Sequence, residues 1–176
     1  SNDKVGLLLF SDQVQRYIPP RKGRGHGAYL VRQIFSTPSD AQVQTEFSTV
    51  FERLAGLRER GAIVFVVSDW ITDKQGYASL LPVVGRKYET VAVRVIDPRE
   101  RHMPNVGVLP VIDPESGQTV LLDTRGQAGK KLNEVLGKRL SDQKQLLKKY
   151  RIDVLDVEVG GSFVDALTAF FHGRAH

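Results

Sequence analysis

The run Ala62-Ile63-Val64-Phe65-Val66-Val67 constrains this chain more than any other stretch. A strand with one wet face alternates polar and apolar side chains. Six apolar residues without a polar break read instead as a strand buried on both faces, as in a parallel sheet covered by helices. Gly61 precedes the run and Ser68-Asp69 follow it. Glu89 to Ile96 repeats the pattern, with Val91, Val93 and Val95 on one side, Ala92 and Ile96 on the other, and Asp97 after it. Val5 to Phe10 is a further strand of this kind, and Ile152 to Val157 is a final strand.

Helical periodicity fills the intervals. Ala28 to Phe35 is expected as a short helix, with Tyr29, Leu30, Ile34 and Val31 inward. Phe47, Val50, Phe51, Leu54 and Leu57 recur at helical spacing and predict an amphipathic helix ending at Gly61. Tyr77, Leu80, Leu81 and Val84 give a short helix disturbed at Pro82. Leu132, Val135, Leu136, Leu140, Leu147 and Tyr150 line one stripe of a long helix. Its other face carries Lys130, Lys131, Lys138, Arg139, Lys144, Lys148 and Lys149 and reads as a solvated basic face. Ser162 caps a last helix docked by Phe163, Leu167, Phe170 and Phe171. Ser39 with Gln42, and Thr124 with Gln127, fit capping boxes.

Two hairpins interrupt the alternation. Val14, Arg16 and Ile18 alternate with Gln15 and Tyr17, so this segment pairs with the first strand until Pro19-Pro20 stops the ladder. Val108 to Ile112 and Thr119 to Leu122 flank Asp113-Pro114-Glu115-Ser116-Gly117, strong turn chemistry. The βαβα order makes an open, mostly parallel α/β sheet with helices on both faces the expected class. No linker divides the chain, so residues 3–171 are expected to form a single domain.

Composition matters here for what it excludes. The chain has no cysteine, which removes disulfides, thiolate metal sites and cysteine nucleophiles. The net charge of +5 is interleaved with acids, as in Arg99-Glu100-Arg101, so nucleic-acid binding through the basic helix is a third reading, not the first. No apolar run reaches the roughly 18 residues of a membrane span and no signal peptide opens the chain, so a cytoplasmic location is expected. Arg21-Lys22-Gly23-Arg24-Gly25-His26-Gly27 is a flexible basic connection without phosphate-loop spacing. The histidines lack metal spacing, and no G-x-S-x-G elbow occurs. No residue set carries enzyme chemistry, so the chain is read as a non-enzyme, with a nucleotide-binding or hydrolytic α/β enzyme as the alternative.

Four acids stand at or near strand ends: Asp12, Asp69, Asp97 and Asp156. Asp69 and Asp97 close successive parallel-type strands and should emerge on one edge, where open α/β sheets bind their ligands. With Ser68, Thr72 and Thr45 they could hold a hard cation such as Mg²⁺ through oxygen. The same aspartates could simply cap turns; spacing leaves both readings open.

In order and spacing, three stretches resemble the C-terminal half of bacterial proteins of the domain-of-unknown-function 58 family, relatives of the von Willebrand factor type A domain. They are Lys4-Val5-Gly6-Leu7-Leu8-Leu9-Phe10-Ser11-Asp12, Ile63-Val64-Phe65-Val66-Val67-Ser68-Asp69, and Val91-Ala92-Val93-Arg94-Val95-Ile96-Asp97-Pro98-Arg99-Glu100. The resemblance implies a Rossmann-like fold with a metal-ion-dependent adhesion site. In that site Asp69 matches the third-loop aspartate, and Thr45 stands where relatives carry a threonine. Ser68 and Asp97 fall in its surroundings. The D-x-S-x-S motif of the family's first strand is absent, and Gln44 and Glu46 replace the usual glycine and aspartate. The Ser39 capping box would also draw Thr45 into a helix. The site is therefore expected to be partial and to bind no Mg²⁺ tightly in this chain. The resemblance further implies a protein-interaction module serving a MoxR-type AAA+ ATPase, membrane-tethered where the parent protein is longer. A domain lacking its first strand leaves a strand-wide gap between Val5–Phe10 and Ile63–Val67, so a homodimer or a swapped dimer is expected.

Overall fold

The computed structural model describes residues 3–38, 45–59, 61–71, 76–98, 106–112 and 119–174. The chain divides into two compact units, each discontinuous in sequence: residues 1–62 with 71–88, and residues 63–70 with 89–176.

In the first unit, β1 (Val5–Phe10) and β2 (Val14–Arg21) form an antiparallel hairpin, with Leu8 opposite Tyr17. The ladder does not stop at Pro19-Pro20, as expected from sequence, but runs on to pair Val5 with Arg21. The register shifts between Val5 and Leu7, and such irregularities in a strand pair are where proline is tolerated. Gly6 makes the close approach possible, because a Cβ there would meet Ile18 O at 3.0 Å.

Helix α1 (Arg24–Ser36) begins four residues earlier than its apolar pattern suggested. The glycine-rich stretch is thus its first turn rather than a flexible connection. Gly23 at φ 106° provides the entry. Only Leu30 of the expected inward residues is buried, whereas Tyr29, Val31 and Ile34 are exposed.

Helix α2 (Phe47–Gly56) buries Phe47, Val50, Phe51 and Leu54 as its periodicity requires, but ends at Gly56, not Gly61. Lys87 Nζ donates to the carbonyls of Leu54, Ala55 and Leu57, satisfying the helix end with a cation where the dipole favours one. Helix α3 (Leu81–Lys87) is not disturbed by Pro82. The proline lies in the first turn, where no N–H is needed. Phe10, Phe47, Phe51 and Tyr77 form an aromatic cluster with centroids 5.4 to 6.0 Å apart.

The second unit is a three-layer α/β arrangement. Strands β3 (Ile63–Ser68), β4 (Glu89–Ile96) and β7 (Ile152–Glu158) form a parallel sheet in the order β3-β4-β7. β4 is central, and six of its eight residues are buried besides the half-buried Val95. Paired residues of parallel strands share a face. Val91, Val93 and Leu155 therefore stand together, and helix α5 (Phe163–Arg174) covers them with Ala166, Leu167 and Phe170. Ser162 caps α5 as read from sequence, accepting from Asp165 N at 3.2 Å. Phe163 and Phe171, expected to dock it, are exposed.

The opposite face carries Arg94 and meets helix α4 (Gln127–Lys149). β5 (Val108–Ile112) and β6 (Thr119–Asp123) form the expected second hairpin, with Val108 opposite Asp123; its turn lies outside the described residues. Thr124 does not cap α4, whose N-cap is Gly126. Its hydroxyl instead accepts from Gly107 N (3.0 Å) and lies 2.8 Å from Gly107 O, tying the base of the hairpin.

Candidate functional site

Asp69 follows β3 at the carboxyl edge of the parallel sheet, and its side chain is exposed. Ser68 Oγ donates to its Oδ1 at 3.3 Å, and Trp70 N donates to Ser68 Oγ at 3.4 Å. The display depends on the next residue. Trp70 is 1% exposed and adopts φ 60°, a left-handed conformation that a bulky residue rarely takes without compensation. Three bonds supply it. The indole N–H donates to Val93 O (3.2 Å), Gln143 Nε2 donates to Trp70 O (2.9 Å), and the backbone N–H reaches Ser68 as above.

Gln143 in turn belongs to a buried cation site. The Arg94 side chain is 2% exposed, and its Nε and Nη2 donate to the two Asp156 oxygens at 2.7 and 3.0 Å. Nη1 donates to Leu140 O (2.8 Å) and Gln143 Oε1 (3.2 Å). The fork geometry of a guanidinium suits this pairing, and burial raises the cost of any member left alone. The chain Asp156–Arg94–Gln143–Trp70 thus runs under the sheet's carboxyl edge and fixes the loop on which Asp69 stands.

The candidates read from sequence do not all meet. Ser68 and Asp69 are adjacent and hydrogen-bonded. Asp97, half-buried, follows β4 at the same carboxyl edge. Thr45 lies in the first unit, half-buried and outside any helix. It is not drawn into α2, because Glu46 is the N-cap and its carboxylate accepts from Ser48 N at 3.2 Å. Thr72, Ser39, Gln42 and Gln44 lie outside the described residues. Asp12 is exposed beside Ser11, and Asp156 proves to be the structural partner of Arg94 rather than an edge carboxylate.

Sequence reasoning missed Arg94. The available signal was a lone arginine inside the valine run of β4, since a charge in a two-sided buried strand demands a buried partner.

Mg²⁺ takes near-octahedral oxygen coordination. Among the described residues no group of three His, Cys, Asp or Glu side chains could hold a metal ion. Asp69 with Ser68 falls well short of that set, so the described residues do not fit a resident cation.

Elsewhere, Tyr17 and Tyr88 of the first unit titrate above the ordinary tyrosine range. Burial is the larger cause for each, and the Glu59 carboxylate adds to it. Tyr17 donates to Glu59 Oε1 at 3.2 Å, and Tyr88 donates to Leu54 O at 2.9 Å. The lysines of α4 are exposed apart from the half-buried Lys144, as a solvated face should be. No helix among the described residues is long and apolar enough to cross a membrane.

Residues 1–139 match the family model described as "Protein of unknown function DUF58". Uncharacterised proteins of Mycobacterium bovis and Mycobacterium tuberculosis are 27% identical over 116 residues, covering 65% of this chain and 36% of theirs. A protein of Mycobacterium avium is 27% identical over 103 residues, covering 58% of this chain and 60% of its own length. The chain thus spans little more than a third of the first of these relatives. A crystal structure of the conserved hypothetical protein BatB from Bacteroides thetaiotaomicron superposes with a TM-score of 0.51 at 15% identity, over 96% of this chain and 77% of that one. At that identity the likeness concerns the fold.

Proposed function

The chain belongs to the DUF58 family, and on that premise we propose that it is a protein-interaction module of von Willebrand A type, with a Rossmann-like fold, that serves a MoxR-type AAA+ ATPase. One observation carries the reading. Asp69 is exposed at the carboxyl edge of a parallel sheet, on a strained loop that a buried network holds in place. Backbone strain of this kind persists where the surroundings over-determine it, and it clusters at ligand-contacting positions. A carboxylate so presented is a recognition group for a basic or hydrogen-bond-donating partner surface. Such groups set specificity and association rate.

Asp97 on the same edge adds a second negative charge, and Thr45 remains the threonine of the family pattern. The interaction is proposed without a bridging cation, because the described residues do not supply its ligands.

The test is direct binding between this chain and a purified MoxR-type ATPase from the same genome, measured by interferometry. Saturable binding weakened about tenfold by Asp69→Ala, equivalent to roughly 1.4 kcal/mol, is the expected result. Absence of binding, or indifference to the substitution, refutes the proposal.

A further inference from the structure

We infer that helix α1 lies on an anionic lipid surface, with its outer stripe of side chains in the headgroup layer and the cations around it on the lipid charges. The helix has two opposite faces. His26, Leu30 and Gln33 follow one another at i, i+4 and i+7 and form the inner face. His26 Nε2 donates to Val5 O at 2.9 Å, Leu30 is 6% exposed, and Gln33 Oε1 accepts from Arg16 of β2. Arg24, Ala28, Val31 and Phe35 repeat the spacing half a turn away. All four are exposed, Val31 by 53% and Phe35 by 86%, and Ile34 beside them by 49%. This outer stripe points away from the β1–β2 sheet, so a strand added to that sheet would leave it uncovered.

Charge selects the occupant. No acid stands between Asp12 and Asp40, and the interval holds Arg16, Arg21, Lys22, Arg24 and Arg32. The whole chain has 25 cations and 20 acids, so the two balance elsewhere and the net charge of +5 resides in this segment. Arg21, Lys22, Arg24 and Arg32 are exposed. Val5 pairs with Arg21, which brings Asp3 to this end of the hairpin and offsets one of them.

A helix with apolar side chains on one face and cations beside them settles in a bilayer interface, its apolar groups about 5–10 Å deep. Long basic side chains reach from there to the headgroups. An acidic protein surface would answer the cations but not Phe35. An apolar groove would answer Phe35 but not the cations. An anionic bilayer answers both.

The full chain is sedimented with vesicles of phosphatidylcholine and with vesicles of an equimolar mixture with phosphatidylserine. Binding to the anionic vesicles alone is expected, weakening as salt rises. Each cation near such a surface is worth about fivefold in affinity, so Arg21→Gln with Lys22→Gln should weaken binding about 25-fold. Phe35→Ser should weaken it about tenfold. Lys148→Gln with Lys149→Gln, on the basic face of α4, should change nothing. The chain has no cysteine, so Phe35→Cys and Val135→Cys can each carry an environment-sensitive dye. Val135 is 56% exposed on α4, and only the dye at position 35 should respond to vesicles. All these side chains are exposed, and circular dichroism checks that each variant is folded. No binding to anionic vesicles, an equal loss from the α4 pair, an equal dye response at both positions, or indifference to Phe35→Ser overturns the inference. So does equal affinity for soluble polyglutamate, which would make the partner an acidic protein. No ATPase is present, so failure here is distinct from failure of the proposed function.

Discussion

Removing Asp156 should be among the most damaging single changes available in this chain. In Asp156→Ala the Arg94 guanidinium, 2% exposed in the intact protein, loses both charged acceptors. Its remaining partners, Leu140 O and Gln143 Oε1, are neutral. Breaking a buried ion pair from one side costs about 3–5 kcal/mol. The Asp156 side chain is 24% exposed, so water can enter where it stood, and the lower end, about 3 kcal/mol, is expected. With a urea m value of about 2 kcal/mol/M, the unfolding midpoint should fall by about 1.5 M. Trp70, the chain's single tryptophan, joins the network through Gln143, and its fluorescence reports on this unit. Arg94→Met is the informative partner. It removes the charge that needs solvation, so it should cost less than Asp156→Ala, and the double variant should recover part of the loss. A midpoint shift below about 0.5 M for Asp156→Ala, or a larger loss for Arg94→Met, would refute the claim that the uncompensated buried charge outweighs the lost packing and hydrogen bonds.

Three further outcomes follow from the geometry. Gly129→Ala should destabilise α4 by about 1–3 kcal/mol in thermal unfolding, because its Cβ would stand 2.8 Å from Thr124 Cα, in backbone that has no room to yield. Tyr17 and Tyr88 hold their protons more tightly when folded. Their contribution to stability should therefore be complete below the unfolded tyrosine pKa of about 10, and be lost as pH rises from there through the raised folded values. Glu59→Gln should shallow that alkaline slope in pH-dependent denaturation, since its charge raises both groups. Calorimetric titration with Mg²⁺ should give no saturable heat, and tight binding abolished by Asp69→Ala would show that residues outside the described set complete a site.

Much of this fold was legible where periodicity was unbroken. The runs of β3 and β4 and the stripe of α2 specify their elements, but only β4 is buried on both faces: Ile63, Phe65 and Val67 of β3 are exposed, so the expectation of two-sided burial fails for that strand. The failures are local and physical. Pro82 and Pro19-Pro20 read as breakers, but a proline in the first turn of a helix or beside a register shift loses nothing. Arg24 to Gly27 read as a loop because glycine weakens helical pattern, yet α1 begins there from Gly23. Thr124 matched a capping box and instead ties Gly107, a partner seventeen residues away that no local motif encodes. At the candidate site, Asp69 was legible as an edge acid. The network that positions it was not, because Arg94, Gln143 and Asp156 meet only once the long α4 crossover has closed.

The interleaving of the two units also bears on how the chain is made. The polypeptide leaves the first unit for β3, returns for residues 71–88, and leaves again for β4, so no single cut yields either unit whole. β4, the central strand, emerges about 55 residues before its neighbour β7. At a ribosomal pace of about 5–20 residues per second, its apolar flank waits roughly 3–11 s for a partner. During that interval the edge of β4 that β7 will cover has no partner, which leaves a row of unpaired main-chain groups beside apolar side chains.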